Sequence, residues 1–328
     1  MPDKLKFYKP FDRNDFNNKR CFLCGEDLNE ENSSFEHILP KWLLRKFDLW
    51  DKSLIMINQT SVKYNQFKIP CCKNCNNEHL SKMEEKFKRL LENKFQKLTP
   101  DDEKIIFQWT AKILYGSVYR KLSFRIDMKN PELGNLMTPE IIESYSALHL
   151  FLQSIRFPTK FHEPYPWSFF IFQFEDDTFH YINDFENLSF SIKLGKIGIV
   201  IVFEDSKKVE NSMVLMKGLY QFPLDFVQYL EVTMLIFYSK MLIQSTPKYI
   251  SVISDETKEM EVFTIPSIFQ IPLKKFDNGE FAALFENLLK SNIGIINTPL
   301  YQDGFNKTFL VDEDNVLYIN KIKNLSKL

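Results

Sequence analysis

Five cysteines, all in the first quarter of this 328-residue chain, show the clearest chemical pattern. Cys21 and Cys24 form one CxxC pair, and Cys72 and Cys75 form another. Four thiolates in two such pairs are typical of a tetrahedral structural zinc site, which pins together two segments that are distant in sequence. Any single cysteine could instead be buried without a metal, and this is the interpretation we give Cys71. Disulfide-bonded cysteines would not be confined to one short part of a long cytosolic chain.

A second group of candidate residues lies between the pairs and directly after them. Glu36 and His37 end a short apolar run, which places an oxygen ligand beside a titratable nitrogen. The second cysteine pair runs directly into Asn76, where a helical pattern begins. The apolar positions on one face of this helix are Leu80, Met83, Phe87, Leu90, Leu91 and Phe95. We therefore expect the zinc to hold a helix start carrying Asn76 against a strand carrying Glu36 and His37.

Three motifs in this order resemble those of the HNH endonucleases of the ββα-metal class. They are CxxCG at 21–25, EHIxP at 36–40 and CxxCNN at 72–77. The likeness is closer to a bacterial subgroup that carries EHxxPKWL and a CNNGWMSxLE-like segment. A Trp-Ala-x-Lys-like element recurs in that subgroup, and this chain has WTAK at 109–112. The match covers about residues 20–115.

The resemblance implies roles for individual residues. His37 would be the general base that takes a proton from the attacking water. Glu36 and Asn76 would bind one catalytic Mg²⁺ or Mn²⁺, and the four paired cysteines would bind a separate structural zinc. His79 would be a third ligand of the catalytic cation or would contact the scissile phosphate. The alternative for His79 is a first-turn residue that faces solvent.

These implied roles form a coherent reaction. A phosphodiester is negatively charged and repels hydroxide, so a cation must neutralise it and stabilise the departing oxygen. Mg²⁺ keeps most of its waters and needs only one or two protein oxygens, which Glu36 and Asn76 would supply. An imidazole with an unperturbed pKa of about 6.5 suits proton abstraction near neutral pH.

The chain also departs from the family pattern. The acidic ligand is Glu36, where Asp is commoner, and the longer side chain is still compatible with metal binding. The middle Asn, which braces the loop that holds the base, is not obvious, and Asn58 and Asn65 are both candidates. Glu84 matches an acidic position of the subgroup, and we expect it to form a structural ion pair.

The charge distribution agrees with a nucleic-acid partner without specifying one. The net charge is -1, but residues 1–97 contain 19 Lys and Arg against 14 Asp and Glu. The basic residues near the motifs are Lys41, Arg45, Lys46, Lys82, Lys86 and Arg89. They could neutralise phosphates, or they could be the solvated side of amphipathic helices. Trp42 and Trp50 could stack on bases, but tryptophans near a small zinc core more often pack into it.

Several classes of protein are disfavoured. The chain has only 9 glycines, and it contains no GxGxxG, no GxxxxGK[ST], no GxSxG and no HExxH. The first residues lack the apolar core of a secretory signal, and no apolar stretch approaches the roughly 20 residues needed to span a bilayer. We expect a soluble, cytoplasmic protein with no membrane partner.

The sequence predicts an α+β protein with two parts. Residues 1–97 would form a zinc-anchored ββα-metal HNH domain, and residues 98–328 a larger α+β region. Helices should begin at Thr99 and Thr138 and reach about 119 and 155. Further predicted strands are 167–174, 179–182, 188–194, 197–203, 249–253 and 260–265, with helices over 225–242 and from 277, and a hairpin of 308–311 and 316–319.

Taken with the resemblance, these features predict a metal-dependent endonuclease that hydrolyses DNA phosphodiesters and leaves a 5′-phosphate and a 3′-hydroxyl. RNA as the substrate is not excluded. The subgroup looks like mobile-element or phage-defence effectors, so residues 98–328 could recognise the substrate, form an oligomer or bind a regulatory partner. In that region His149 is expected to be a core or boundary residue. The alternative function is a non-catalytic, zinc-anchored module that binds nucleic acid or protein.

Overall fold

The structure is a computed structural model of the chain. It describes residues 7–13, 16–56, 58–254, 259–265, 273–294, 299–302 and 304–310. The protein is mixed α+β, as the sequence predicts. The chain forms two compact units: Met1–Phe161 with Ser251–Val262, and His162–Ile250 with Phe263–Leu328.

The first unit contains both cysteine pairs. Its elements in chain order are β1 (Ser33–His37), α1 (Lys41–Lys46), β2 (Ser53–Ile55), β3 (Ser61–Lys63), β4 (Lys68–Cys72), α2 (Ser81–Glu92), α3 (Pro100–Lys121), α4 (Pro139–Glu143), α5 (Ser146–Leu152) and β5 (Thr159–Phe161). Strands β1 and β4 pair antiparallel, with Ser33 opposite Cys72 and His37 opposite Lys68. A π-helical turn, Cys75–Leu80, leads from β4 into α2. The β1–β4 pair and α2 therefore bring the two motif regions together.

The first unit extends beyond the boundary near residue 98 that the sequence suggested. Trp109 of α3 stacks on Phe87 of α2, with ring centroids 3.7 Å apart and planes 6° from parallel. Gly116 brings α3 close to the strands, since a Cβ there would lie 3.2 Å from Ile69 and 3.3 Å from Ile38. Because α3 packs directly on the motif-bearing elements, it belongs to the same unit.

The helix starts are as predicted, but one helix is shorter than expected. Thr99 caps α3 in a capping box with Asp102. The helix predicted from Thr138 to about 155 is divided into α4, α5 and a 3-10 turn, Gln153–Ile155. At the break, the Ser144 hydroxyl donates to the Ile141 carbonyl, and such side-chain bonds compete with the regular helix.

The second unit is built around a five-stranded sheet. Its elements are β6 (Trp167–Phe174), β7 (Phe179–Asp184), β8 (Ser189–Leu194), β9 (Ile197–Phe203), α6 (Lys208–Ser212), β10 (Pro223–Leu224), α7 (Phe226–Met241), β11 (Lys248–Ile253), β12 (Met260–Ile265), α8 (Asn278–Ile293), β13 (Tyr301–Gln302) and β14 (Phe305–Asn306). The ends of β11 and β12 belong to the first unit, where β12 pairs in parallel with β5.

The sheet of the second unit has the strand order β10-β6-β9-β8-β7. Within this sheet β10 and β6 pair in parallel, and the other described pairs are antiparallel. The predicted strands and the helices at 225 and 277 are present, and Asp225 and Asp277 cap α7 and α8. The second half of the predicted C-terminal hairpin lies outside the described residues, and 308–310 are not in a strand. Over the described part of the chain, no helix combines the length and apolarity needed to cross a membrane.

Candidate functional site

The two cysteine pairs meet, as the motif spacing predicts. The sulfur atoms of Cys21, Cys24, Cys72 and Cys75 all lie within 4.8 Å of one another. The Cys24 and Cys72 sulfurs are 3.7 Å apart. Sulfurs about 2.3 Å from a tetrahedral zinc are separated by about 3.8 Å, so this spacing fits such an ion. The four cysteines could therefore hold a metal ion such as zinc.

Each cysteine pair forms a tight turn, which we call a knuckle: Cys21–Cys24 is the first and Cys72–Cys75 the second. Local backbone geometry determines the shape of the first knuckle. Gly25 has a φ of 73°, in the left-handed region that favours glycine, and its N–H donates to the Cys21 carbonyl. A Cβ at this position would lie 2.2 Å from the ring of Tyr8. In the second knuckle, the Cys75 N–H donates to the Cys72 sulfur at 3.4 Å. The glycine of the CxxCG motif is thus required by both conformation and space.

Two side chains, one from α5 and one from the 3-10 turn after it, contact the main chain of the first knuckle. His149 Nε2 lies 3.1 Å from the Phe22 carbonyl, and Gln153 donates to the Leu23 carbonyl at 2.9 Å. His149 is 1% exposed, which confirms its predicted place in the core. Burial lowers the pKa of His149 to about 4, so its ring is neutral at pH 7.

Cys71 lies beside the four-sulfur group without belonging to it. The residue is buried, as predicted, and its sulfur is 3.9 Å from that of Cys21. The hydrogen bond to Cys21 and burial raise the pKa of the Cys71 thiol. A raised thiol pKa agrees with a cysteine outside the group of metal ligands, which bind as thiolates.

The predicted catalytic residues line one cleft. Glu36 and His37 from β1 and Asn76 from the π-helical turn face a cavity of about 340 Å³. The other lining residues are Phe35, Pro40, Lys41, Trp42, Arg45 and Glu84. The antiparallel pairing of β1 with β4 brings Asn76 beside the strand residues, because the turn follows β4 directly.

The His37 ring lies beside the backbone of Asn65. That backbone raises the pKa of the ring a little, and Nε2 is buried with no hydrogen-bond partner among the described residues. Burial lowers the pKa of His37 to about 4, with a contribution from nearby Lys68, so the ring is neutral at pH 7.

The two candidates for the bracing asparagine lie in different surroundings. The main chain of Asn65 lies near the His37 ring, and its side chain donates to Asp51 at 3.4 Å. The side chain of Asn58 instead donates to the Arg125 carbonyl. Of the two, Asn65 is the candidate beside the proposed base.

The amide of Asn76 is oriented by β1. Its nitrogen donates to the Ser34 hydroxyl at 2.8 Å and to the Phe35 carbonyl at 3.2 Å. With the nitrogen engaged, the amide oxygen is the atom that can serve as a ligand. Asn76 and Glu36 therefore present the oxygen donors that a hard divalent cation prefers.

His79 does not join these residues. It is absent from the residues lining the cleft, and its ring lies near the Ile155 backbone. Burial, with the nearby charge of Arg156, lowers the pKa of His79. A π-helical turn contains more residues than an α-helical turn, so residues three positions apart do not lie on the same face. His79 therefore points away from Asn76. The structure thus places His79 outside the cleft, half-buried rather than facing solvent.

Lys112 is the site residue that sequence reasoning missed. Its ammonium lies 2.7 Å from Glu36 Oε1 and 2.9 Å from Glu84 Oε1. It also donates to the carbonyls of His37 and Ile38, at 3.1 and 3.2 Å. The Trp-Ala-x-Lys-like element contained this residue, and its recurrence in the subgroup was the signal that could have found it.

Burial and charge oppose each other in this network. Lys112 is fully buried; burial disfavours its charge, but Glu36 and Glu84 outweigh that effect and raise its pKa. Burial raises the pKa of Glu36 to about 7, against the lowering effect of Lys112. Glu84 is therefore in an ion pair, as expected, but this pair also borders the cleft.

The predicted basic residues divide into two groups. Lys41 and Arg45 of α1 line the cleft. On α2, Lys82 pairs with Glu78 and Arg89 pairs with Glu85, at 3.0 and 2.6 Å. The charge on α2 is thus partly neutralised within the helix, whereas the charge on α1 faces the cleft. Trp50 packs near the His37 ring, with centroids 5.8 Å apart.

Comparison with protein-family models, with curated proteins and with solved structures found no match to this chain. The chemistry of the cleft is then the main guide to function. It combines a neutral imidazole with a free nitrogen, two oxygen donors and two nearby basic side chains. Such a set can bind a cation and an anionic substrate together and accept a proton beside them.

Proposed function

We propose that this protein is a metal-dependent HNH endonuclease that hydrolyses DNA phosphodiester bonds. The observation that carries the proposal is the cleft that joins Glu36, His37 and Asn76, with Nε2 of His37 unpaired. A fold that only binds a structural zinc does not need Glu36, His37 or Asn76 at these positions. The motif likeness adds support, because the same three residues hold the matching positions.

In this proposal the four paired cysteines bind a structural zinc. The ion ties the Cys21–Cys24 knuckle to the end of β4, and so fixes the turn that carries Asn76. Structural zinc contributes directly to folding free energy, because the ligands are brought together only in the folded chain. The metal therefore acts at a distance from the cleft, through the geometry of β4 and the π-helical turn.

His37 acts as the general base. Its Nε2, which has no hydrogen-bond partner among the described residues, accepts a proton from the attacking water. The nearby Asn65 backbone favours the imidazolium that forms, since it raises the pKa of the ring. The low pKa of His37 keeps Nε2 free at neutral pH.

Glu36 and Asn76 would hold a Mg²⁺ or Mn²⁺ ion through their side-chain oxygens. This ion, when bound, supplies positive charge that neutralises the phosphate and stabilises the departing oxygen. Lys41 and Arg45 attract the DNA backbone to the cleft and add a salt-dependent component to binding. DNA is proposed as the substrate on the likeness to the HNH motifs, since Lys41 and Arg45 could bind the phosphates of either nucleic acid. The test below distinguishes DNA from RNA.

The test is cleavage of supercoiled plasmid, and of an RNA of similar length, with Mg²⁺ or Mn²⁺ and with an EDTA control. Wild-type protein should nick or linearise the plasmid, and EDTA should stop it. His37→Ala should lose activity, whereas His79→Ala, the matched control outside the cleft, should keep it. Cleavage of RNA alone would change the substrate class, and equal cleavage by His37→Ala would refute the mechanism.

A further inference from the structure

We propose that Phe35 stacks on an unpaired nucleobase beside the catalytic residues, so that the cleft prefers single-stranded or locally unwound DNA. Phe35 lies directly before the EHIxP motif and has no part in it. This inference rests on the proposed function, because it names the form of DNA that the same cleft takes.

The side chain of Phe35 is exposed in a polar cleft. The residue is 59% exposed, although phenylalanine is among the residue types that are most often buried. A single exposed apolar residue is ordinary on a protein surface. Phe35 differs in its place, because it lines the cleft together with Glu36, His37 and Asn76. An aromatic face is therefore open to a ligand that approaches these residues.

The main chain of Phe35 is fixed relative to the proposed catalytic residues. Phe35 pairs with Pro70 across the β1–β4 ladder, and its carbonyl accepts from the Asn76 amide at 3.2 Å. Successive side chains of a strand point to opposite faces, so Phe35 and His37 project from the same face of β1. Phe35 is thus anchored beside the proposed general base and a proposed ligand of the cation.

The two tryptophans near the cleft are less available for stacking. Trp42 and Trp50 are both half-buried, and the ring of Trp50 already has two partners. Its centroid lies 5.8 Å from that of the His37 ring and 5.7 Å from the guanidinium carbon of Arg45. Phe35 is the most exposed of these three aromatic residues.

Basic side chains of the same cleft complete a site for a nucleotide. Lys41 and Arg45 are four positions apart on α1, hence on one face of that helix, and both are exposed and line the cleft. Proteins that bind single strands combine such a positive surface for phosphates with aromatic side chains on which bases stack.

A duplex fits this arrangement less well than an unpaired strand. In a duplex each base is covered by its neighbours, and exposing its face costs the energy of unstacking. An unpaired strand can place one nucleobase on Phe35 and its flanking phosphates near Lys41 and Arg45 without that cost.

The test compares two single-stranded DNA oligomers of about 12 nucleotides, an oligothymidylate and a fully abasic strand with the same phosphates. Fluorescence anisotropy gives their dissociation constants with zinc-loaded protein and no added Mg²⁺ or Mn²⁺, so that no strand is cut. The wild type should bind the oligothymidylate at least about fivefold tighter, since stacking of one base is typically worth about 5- to 100-fold in affinity. Phe35→Ala should lose about fivefold or more on the oligothymidylate and less than about twofold on the abasic strand.

Further variants identify stacking as the cause. Phe35→Trp keeps a flat aromatic face and should bind the oligothymidylate at least as tightly as the wild type. Phe35→Leu is apolar but not flat, and should lose about as much affinity as Phe35→Ala. Ile55→Ala is the matched control, because Ile55 is a 72% exposed apolar residue of β2 outside the lining of the cleft. It should leave both affinities unchanged.

A duplex of the same length tests the preference for unpaired bases. Phe35→Ala should change the affinity for this duplex by less than about twofold, because paired bases stay stacked on each other. With Mn²⁺, the wild type should cut negatively supercoiled plasmid, which contains unpaired segments, faster than relaxed plasmid. Phe35→Ala should reduce this difference in rate.

A wild-type preference of less than about twofold for the oligothymidylate would overturn the inference. So would an equal loss on both single strands or on the duplex in Phe35→Ala, wild-type binding by Phe35→Leu, or equal cutting of supercoiled and relaxed plasmid. A protein that shows the base-dependent binding but cuts no nucleic acid would refute the proposed function and leave the stacking role of Phe35 in place.

Discussion

The two units differ in how they use buried charge. In the first unit, Lys112 reaches across 76 positions of sequence to Glu36, and the pair borders a cleft. In the second unit, the buried Lys193 pairs with Asp176 of a neighbouring hairpin, and Glu210 pairs with Lys207 three positions away. A buried ion pair between residues that are near in sequence contributes mainly to folding. A buried ion pair between residues far apart in sequence, at the edge of a cleft, is more informative about function.

The largest effect should come from removing a knuckle thiolate. Cys72→Ser should lose the zinc and precipitate or unfold, because the metal supplies folding free energy. Cys71→Ser is the matched control from the adjacent position, and it should keep the metal because Cys71 lies outside the four-sulfur group. Zinc per protein, measured by atomic emission, checks both. Equal zinc content in the two variants would show that the four-sulfur assignment is wrong.

A smaller loss of stability should follow from a methyl group at Gly25. Gly25→Ala combines a positive φ with a clash against Tyr8, so we expect a loss of several kcal/mol, about 2–4. Gly134→Ala has a φ of 90° and a ψ of −159°, a region almost confined to glycine, but it meets no atom within 4 Å, so it should lose only the backbone cost of about 1–3 kcal/mol. Chemical denaturation of both variants gives the difference. Similar losses would mean that the Tyr8 contact does not restrict the knuckle.

The comparison of buried lysines can be sharpened directly with Lys193→Met. Lys193 is fully buried, and it donates to Thr178 as well as to Asp176. Its removal should lower the free energy of unfolding by about 1–3 kcal/mol, because these acceptors lose their donor. Mn²⁺ affinity should stay at the wild-type value, because Lys193 is not among the residues that line the cleft. A change in Mn²⁺ binding would contradict the distinction drawn between local and long-range charge pairs.

The smallest effect should be a pH dependence from His180 in β7. Burial lowers the pKa of His180 below its ordinary value of about 6.5. The unfolded chain therefore binds a proton first as the pH falls below about 6.5, and stability declines by at most about 1.4 kcal/mol per pH unit from this group. His180→Asn should flatten that part of the curve. An unchanged slope between pH 7 and 5 would show that His180 does not contribute.

The sequence predicted those features that depend on short stretches of chain. Thr99, Asp225 and Asp277 mark helix starts because capping involves residues only three positions apart. Apolar runs predicted the strands of the second unit because a sheet covered on both faces needs continuous hydrophobic segments. The motifs predicted that Asn76 lies near the strand carrying Glu36, since the paired cysteines fix two distant segments to each other, and both residues line one cleft.

Other features depended on contacts that the sequence does not display. The ion pair of Lys112 with Glu36 requires the packing of α3 on the β1–β4 pair. The place of His79 depends on a π-helical turn, which has no reliable sequence signature. The extent of the first unit was missed because α5 and the turn after it hold a cysteine knuckle more than 120 positions away.

The most direct test of the central claim is chemical rescue of His37→Ala. Plasmid cleavage by the zinc-loaded variant should be at least about 100-fold slower than that of the wild type, because the general base is missing. Added imidazole should restore part of the rate, since it can occupy the space left by the side chain and accept the proton. Cleavage by His37→Ala at the wild-type rate, with no response to imidazole, would contradict the assignment of His37 as the base of a nuclease site.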